Sequence, residues 1–490
     1  MIRDMANSKL GKFLFHNTTT SQTIAKNTFW LSFGEIFGRF LRVILIFSAA
    51  RILGVAGWGT FSYMVSMAAI LTVFSDIGLT SIVVREGSKN SELRKTYFAT
   101  SLFLKLILIF LSFLLIVFVT PRISDIGLSP ILVYAVGFLM VFDALRVFGN
   151  SIFRSEQQMQ FEAGTNIFTQ VSIFSLGFYV LLRNPSPELL AVAYAAGSGI
   201  GLLVITFLIR KYIKVVFKYF RRDIIKNILA YSWPIGFSAI FGGLMVNIDT
   251  VMVGWFRDAT HVGLYAAAQK PIAFLYLLPA LIAGALFPVL AKRAEKDKDG
   301  FRKVLENGVA ATLLVAYPIV VGLLMTADQI VNFVYGQDYL LSAGPLRILA
   351  MTLIITFPST IIVHAFIAYN RQKELVPLWT MGTIFNILTN FMLIPIFGIV
   401  GAAWTSFFTQ VGVNTVLWRK MIKINPFVVH RRMKTILLAS LLMALAVMIT
   451  RSLGLHVLLT VGVACAVYFA SLLALKDHTL LEIKSIIRTQ

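Results

Sequence analysis

Three ionisable residues recur at helical spacing near the start of the chain. Glu35, Arg39 and Arg42 lie in the otherwise apolar stretch FGEIFGRFLRV. On a helix these positions fall within roughly 60° of one another, so the three charges share one face. Ionisable groups at bilayer depth are costly and usually face a bundle interior or a watery cavity. Because Glu35 can neutralise Arg39 one turn away, the spacing predicts that Arg42 is the cation left for an anionic ligand.

A second cation lies far along the chain, within another apolar segment. Lys270 is followed by Pro271 and Pro279, which remove backbone hydrogen bonds and predict a bend beside a cavity. We expect Lys270 to line the same cavity as Arg39 and Arg42, facing them from the second half of the chain. The alternative is that these three cations only form ion pairs between helices. Asp249, at a similar depth, is the expected partner of Lys270.

The remaining ionisable residues in apolar segments allow either ion coupling or structural pairing. Asp143 and Arg146 are three residues apart on one helical face and can pair with each other. Asp76, like Asp249, is a candidate for ion coupling or for pairing. Lys105 lies about two turns from a segment end, so we expect it to extend its ammonium group to the membrane surface.

The sequence contains none of the common catalytic patterns. It lacks a spaced His/Cys cluster, a Walker A loop and a nucleophile–base arrangement, so we expect neither an enzyme nor a metal or cofactor. His364 is interpreted as a hydrogen-bonded contact between helices. The one cysteine, Cys465, excludes an intramolecular disulfide.

Composition identifies an integral membrane protein. Of 490 residues, 58% are hydrophobic and 13% are charged, and the mean hydropathy is +0.82. Soluble domains contain about 45–50% apolar and about 25% charged residues. The net charge of +22 comes from basic residues in short gaps between apolar runs, which argues against nucleic acid as a partner.

Fourteen apolar segments are long enough to span a bilayer. Of the 44 Lys and Arg residues, 33 fall in alternate gaps on one side and 6 on the other. This bias predicts that both termini are cytoplasmic. The segments are 28–50, 58–84, 97–119, 130–153, 161–182, 188–209, 227–254, 263–290, 305–326, 346–368, 375–394, 397–418, 435–450 and 456–475.

An internal repeat divides these segments into two groups of six and a final pair. The motif Arg-Lys-x-Ile-Lys ends the sixth segment at 210–214 and the twelfth at 419–423. Since six is even, the halves enter from the same side, which predicts a parallel repeat with the ligand between two lobes. The predicted domains are 1–214, 215–423 and 424–490. The basic segment 210–226 is either an interfacial helix that binds anionic lipid or a connector that fixes topology.

The eleventh and twelfth segments carry a motif of polar and small residues. Two asparagines one turn apart can hydrogen-bond across helices, a proline can break the helix at the outer surface, and the glycines allow close packing. The residues are Asn386, Asn390, Pro395, Gly398 and Gly401, within FNILTNFMLIPIFGIVGAAWTS. This motif resembles that of polysaccharide exporters (Wzx-type) in the multidrug/oligosaccharidyl-lipid/polysaccharide exporter superfamily, and the similarity covers essentially the whole chain.

The resemblance implies an all-α membrane protein with two six-helix lobes in a V shape plus two C-terminal helices. It implies a flippase of the inner (cytoplasmic) membrane that moves polyprenyl-diphosphate-linked oligosaccharide by alternating access. Alternatives are a cation-coupled multidrug exporter, a flippase for peptidoglycan lipid precursors and a non-transporting scaffold. Expected partners are membrane lipids and the glycan polymerase and glycosyltransferases of the pathway, with the protein itself a monomer.

Overall fold

The chain folds into helices. The computed structural model describes residues 20–294 and 296–475, and no strand occurs among them. Residues 1–19 and 476–490, which include both predicted cytoplasmic termini, lie outside the described residues. The chain divides into two compact units, Met1–Thr260 and His261–Gln490.

The first unit contains nine helices among its described residues. A π-helical turn, Leu115–Val119, and a 3-10 turn, Thr120–Arg122, extend the third helix. The helices are α1 (Thr20–Phe74), α2 (Leu79–Gly87), α3 (Ser91–Leu114), α4 (Pro130–Ser155), α5 (Met159–Arg183), α6 (Pro187–Leu208), α7 (Arg210–Ile213), α8 (Val216–Tyr219) and α9 (Ile225–Phe256).

The second unit begins within the next helix and contains eight among its described residues. Short 3-10 turns occur at Gln337–Ser342 and Gln372–Glu374. The helices are α10 (Ala259–Leu275), α11 (Leu277–Arg293), α12 (Lys298–Val334), α13 (Ala343–Met351), α14 (Leu353–Ala368), α15 (Leu375–Ile424), α16 (His430–Ser452) and α17 (Val457–Ala474).

Helix starts follow local sequence signals. Ser129 precedes Pro130 at the start of α4, and Ser186 precedes Pro187 at the start of α6. Each serine side chain accepts a hydrogen bond from a backbone N–H in the first turn, while proline occupies the position where a missing N–H costs nothing. Ser129 also donates to the carboxylate of Glu188 over 3.0 Å. The starts of α4 and α6 are therefore held together.

By length and composition, 11 helices in the described residues can cross a membrane, or 12 if the bent pair α13–α14 is one span. Two of them are far longer than one crossing requires. Helix α1 has 55 residues and α15 has 50, and non-helical glycines interrupt them at Gly54 and Gly398. At 1.5 Å per residue each is more than twice the roughly 30 Å hydrocarbon thickness. A count of fourteen requires both to cross twice, and it stays a prediction.

The sequence prediction of a continuous span was wrong at 58–84 and agrees with the structure at 263–290. The predicted span 58–84 is interrupted after Phe74, because Ile77 (φ 39°) and Gly78 (φ 83°) adopt left-handed backbone conformations. The predicted span 263–290 lies within one candidate span, Ala259–Arg293, and the bend predicted from its prolines falls at Tyr276, since Pro279 cannot donate to the carbonyl of residue 275.

A second correction concerns the end of the eleventh predicted segment, where Pro395 was expected to break the helix. Pro395 lies inside α15, and the break falls three residues later at Gly398, with φ 57° and ψ −135°. Proline only removes one hydrogen bond and bends a helix, whereas this backbone conformation favours glycine. A methyl group at Gly401 would stand 2.3 Å from the carbonyl oxygen of Leu393, so the two halves of α15 approach closely at the break.

The basic segment after α6 forms two one-turn helices, α7 and α8, instead of one continuous interfacial helix. Phe217 in α8 is 95% exposed. The ammonium group of Lys218 lies 5.9 Å from the ring centroid of Tyr219, and the guanidinium of Arg210 lies 4.6 Å from that of Phe207. Exposed aromatic and cationic side chains thus alternate along the segment.

Candidate substrate site

A polar pocket of about 220 Å³ lies between α1, α4 and α5 in the first unit. It contains the three charges of the FGEIFGRFLRV stretch and adds arginines and amides from the other two helices. Its lining residues are Gly34, Glu35, Gly38, Arg39, Arg42, Arg146, Val147, Asn150, Arg154, Glu162, Asn166 and Gln170.

Glycine contacts bring α1 against α5. A methyl group at Gly34 would stand 3.2 Å from Ala163, and one at Gly38 would stand 3.0 Å from Cγ of Gln170. Glycines four residues apart allow helices in a membrane to approach closely. This Gly-x-x-x-Gly spacing is part of the stretch that carries the charges, and sequence reasoning overlooked it.

A second glycine pair holds an adjacent face of α5, about a quarter turn around the helix from the first. Methyl groups at Gly197 and Gly201 of α6 would stand 2.7 Å from the backbone nitrogen of Ile173 and 2.1 Å from Oγ1 of Thr169. Helix α5 therefore packs against two Gly-x-x-x-Gly faces, one on α1 and one on α6. Backbone contacts at Ala163 and Ile173 fix the pocket wall that it forms.

Glu35 and Arg39 line the pocket and form a local ion pair. Arg39 Nε donates to Glu35 Oε1 over 2.7 Å, and the two side chains are 38% and 57% exposed. Their charges cancel within one turn of α1. The pair adds no net charge to the pocket.

Arg146 is buried and has partners on both sides. Its guanidinium donates to Asp143 Oδ1 over 3.1 Å and to Asn166 Oδ1 over 2.5 Å. Ser198 of α6 donates to the same oxygen of Asp143 over 2.6 Å. Asp143 thus balances the charge of Arg146 and ties α4 to α6.

Arg154 and Glu162 also line the pocket as an ion pair, and sequence reasoning missed both. Arg154 Nη2 and Nε donate to the carboxylate of Glu162 over 2.6 and 2.8 Å. The carboxylate side chain is only 2% exposed. The sequence did contain a signal for this pair. An acidic residue lies in the first turn of α5, eight residues after a basic residue at the end of α4.

Among the pocket cations, Arg42 differs in having no carboxylate partner in the described residues. No hydrogen bond or ion pair joins it to another residue in the described parts of the chain, whereas Arg39, Arg146 and Arg154 each have a carboxylate. Its side chain is exposed to the pocket. The arrangement therefore offers one unneutralised guanidinium, flanked by neutral amides, to an anion.

Asp76 and Lys105 form a buried pair outside the pocket. Lys105 donates to Asp76 Oδ1, and its ammonium group lies 5.7 Å from the ring centroid of Phe148. Thr80 Oγ1 donates to the same carboxylate oxygen over 2.5 Å. The expectation that Lys105 reaches the membrane surface was wrong, because the residue is 1% exposed and its partner lies in the turn after α1.

The other predicted site residues lie elsewhere. Asp249 belongs to α9 and is 2% exposed, and Lys270 belongs to α10 of the second unit. Their pairing, and a cavity shared by Lys270 with Arg42, stay predictions. Asn390 Nδ2 donates to Asn386 Oδ1 over 3.1 Å within α15.

An apolar cavity of about 340 Å³ lies within the second unit, lined by α12, α16 and α17. Leu314, Ile319, Val447 and Tyr468 contribute to its wall, as does Cys465. Its walls suit a hydrocarbon chain and offer almost nothing to a polar ligand. Within residues 20–294 and 296–475, no group of three His, Cys, Asp or Glu side chains is placed to hold a metal ion.

The long apolar helices and the polar pocket between α1, α4 and α5 define a multi-pass membrane transporter. The chain belongs to the polysaccharide biosynthesis protein family, whose model matches residues 24–294. The MatE family model matches residues 234–392.

Curated relatives agree with this assignment, and solved structures share the fold. The chain is 26% identical to the probable low-salt glycan biosynthesis flippase Agl15 of Haloferax volcanii over 80% of this chain and 82% of the relative. It is 22% identical to a putative O-antigen transporter of Shigella flexneri over 65% and 78%. An inward closed structure of the lipid II flippase MurJ has a TM-score of 0.71 at 19% identity, covering 90% of this chain and 97% of that one. An inward-facing multidrug resistance MATE transporter has a TM-score of 0.57 at 17% identity, covering 77% and 94%.

Proposed function

We propose that this protein is a flippase that moves polyprenyl-diphosphate-linked oligosaccharide across the cytoplasmic membrane by alternating access, without catalysing a reaction. The names of its relatives, a glycan biosynthesis flippase and an O-antigen transporter, support the substrate class. The observation that carries the proposal is Arg42, a guanidinium without an ion-pair partner in the described residues, in a polar pocket between apolar helices. A diphosphate is the anionic part of such a substrate, and guanidinium groups bind phosphate oxygens well.

The lipid part of the substrate needs a different environment from the diphosphate. The apolar cavity lined by α12, α16 and α17 supports binding of a hydrocarbon chain. A protein that contains both a cationic polar pocket and an apolar cavity matches the two chemical halves of a lipid-linked glycan. Amphiphilic drugs carry no comparable diphosphate, so the uncompensated arginine favours the glycan substrate.

The membrane potential can help to drive export. The charge bias indicates that both termini are in the cytoplasm. Across an inside-negative membrane, outward movement of the diphosphate then carries negative charge towards the positive side. Each charge gains about 2.3 kcal/mol per 100 mV. Glu35, Asp76 and Asp249 are the carboxylates that we propose for any coupling to ions.

The proposal extends to organisation and partners. We infer that residues 1–214 and 215–423 form the two lobes of the transporter and that 424–490 add the final helix pair. The protein works as a monomer and receives its substrate from glycosyltransferases on the cytoplasmic side. A glycan polymerase uses the product on the other side.

The test is transport by purified protein in proteoliposomes with a fluorescent polyprenyl-diphosphate sugar. Arg42→Gln should lower the initial rate by tenfold or more, because it removes the free guanidinium, and Arg39→Ala and Lys270→Ala test the wider cationic cavity. Arg183→Gln, at an exposed arginine that ends α5 away from the pocket, is the control. Wild-type rates in Arg42→Gln would sink the proposal, and ion-dependent efflux of a cationic dye would favour a multidrug exporter.

A further inference from the structure

On the basis of the proposed function, we propose that Asn166 and Gln170 on α5 recognise the sugar attached to the diphosphate and determine which first sugar is transported. The sugar class that fits them carries a carbonyl acceptor, such as an acylamino substituent. Arg42 recognises charge, and these two amides recognise the uncharged group next to it.

The size of the pocket limits what it can recognise. Small-molecule sites commonly have volumes of about 300–1,000 Å³. At about 220 Å³, this pocket is smaller than that range, so it can enclose only the part of the substrate nearest Arg42 and not an oligosaccharide. The remaining sugars must lie outside it. Specificity within the pocket therefore concerns the first sugar.

Asn166 is held in one orientation by Arg146. A guanidinium can only donate hydrogen bonds, so the atom of Asn166 that lies 2.5 Å from Arg146 Nη1 must be the amide oxygen. Asn150 Nδ2 lies 3.5 Å from the same oxygen. The two N–H donors of Asn166 have no partner among the described residues. An orientation fixed by a buried arginine is suited to recognition, because binding then requires little ordering.

Gln170 lies one helical turn after Asn166 and presents a second unpartnered amide in the described structure. Its Cγ packs against Gly38, one turn before Arg42 on the same face of α1. A phosphate bound by Arg42 would therefore leave the adjoining sugar next to Gln170. The glycine contact restricts the stem of the side chain and leaves the amide facing the pocket, which Gln170 lines.

Together, the two amides offer more free hydrogen-bond donors than free acceptors. Asn166 offers two N–H donors and no free oxygen, and Gln170 offers two donors and one acceptor. A ligand group with a strong acceptor satisfies this surplus of donors, and a carbonyl oxygen is a stronger acceptor than a hydroxyl. A site arranged to hydrogen-bond one substituent also rejects an analogue that lacks it, since its polar groups then remain unpaired.

The experiment compares two fluorescent polyprenyl-diphosphate substrates in proteoliposomes, one carrying an N-acetylhexosamine and the other the corresponding hexose. Wild-type protein should transport the acetylated substrate about tenfold faster or more. Gln170→Leu and Asn166→Leu should reduce this ratio towards one, because transport of the acetylated substrate falls more than transport of the hexose substrate. Gln372→Leu, at an exposed glutamine in the turn before α15, is the control.

The outcomes separate this inference from the proposed function. If Arg42→Gln abolishes transport of both substrates and Gln170→Leu and Asn166→Leu keep the wild-type ratio, the role of the amides is wrong and the flippase stands. If wild-type protein moves neither substrate, both are wrong. An unchanged melting temperature in detergent shows that each variant folds. Equal wild-type rates for the two substrates would also overturn the inference.

Discussion

Gly236 of α9 lies directly against the backbone of Ile77. A methyl group at position 236 would stand 2.4 Å from the carbonyl carbon of Ile77 and 2.5 Å from its Cα. A methyl group at the neighbouring Gly78 would stand 2.6 Å from the carbonyl oxygen of Ser232. The turn after α1 and helix α9 therefore touch backbone to backbone, at a point where Ile77 has the strained φ of 39°.

Gly236→Ala should separate α9 from the turn and destabilise this conformation by about 1–3 kcal/mol, the usual cost of overpacking. Gly242→Ala on the same helix is the control, because a methyl group there meets nothing within 4 Å. The melting temperature in detergent measures the effect. It should fall only for Gly236→Ala, and equal values for both variants would contradict a tight contact.

A disulfide between α1 and α9 can test directly whether these two helices are adjacent. A Cβ at Gly243 would lie 3.5 Å from Cβ of Val73, within the range that disulfides require. In a Cys465→Ala background, Val73→Cys with Gly243→Cys should cross-link under mild oxidation, and Gly236→Ala should slow the reaction. Gel mobility after cleavage between the two positions measures the yield. A pair that does not cross-link would show that the two helices are not adjacent in the membrane.

Removal of one partner of the Asp76–Lys105 pair should destabilise the protein more than removal of both. A single buried charge left unpaired costs about 3–5 kcal/mol, whereas replacement of both charges is often nearly neutral. Asp76→Asn should lower the melting temperature more than Lys105→Met does. It leaves the more deeply buried charge unpaired, because the Lys105 side chain is 2% exposed and that of Asp76 is 26% exposed. The double variant should regain most of the lost melting temperature. Additive losses would show that the two charges act independently.

Glycine-to-alanine substitutions around α5 should follow the space available at each position. Gly197→Ala places a methyl group 2.7 Å from backbone and should cause a large loss of stability, whereas Gly34→Ala, at 3.2 Å, should cause a small one. Gly164→Ala, which meets nothing within 4 Å, should be neutral or slightly stabilising. Melting temperatures in one detergent give the ranking, and a different order would mean that α5 is not clamped as described.

Glu86 lies outside the predicted spanning segments and allows the pH dependence of stability to be tested. Hydrogen bonds from Lys89 and Arg85 hold the pKa of this nearly buried carboxyl below its usual value. A carboxyl group whose pKa is lower in the folded state stabilises the protein at pH values above its unfolded pKa of about 4.3. This stabilisation is lost as the pH falls through the folded pKa. Glu86→Gln should therefore melt lower than wild type at pH 7, and the difference should shrink on acidification. The exposed Asp223→Asn serves as control, and a constant difference would contradict the pKa shift.

Local charge relationships were readable from the sequence. The Glu35–Arg39 pair follows from a spacing of four on one helix, and the proximity of Asp143 to Arg146 follows from a spacing of three. These predictions need only the geometry of a helix. The charged stripe on α1 could be placed for the same reason.

Relationships across helices were not readable in the same way. Lys105 meets Asp76 because the helix expected over 58–84 ends early, and left-handed backbone at an isoleucine has no sequence signal. Gln170 belongs to the pocket only because Gly38 lets α5 come close, which requires knowing which helices pack together. The glycine spacing itself was visible in the sequence, but its partner helix was not.

The clamping of α5 between two glycine faces has an evolutionary consequence. Because backbone contacts at Ala163 and Ile173 fix this wall, a substitution at position 166 or 170 changes the chemistry offered to a ligand more than the position of the helix that carries it. On the role proposed for the two amides, a lineage can then acquire a new glycan preference by changing one codon, while Gly197 cannot vary without a large loss of stability. Such a division between constrained supports and replaceable side chains would let one scaffold diversify quickly as cell-surface sugars change.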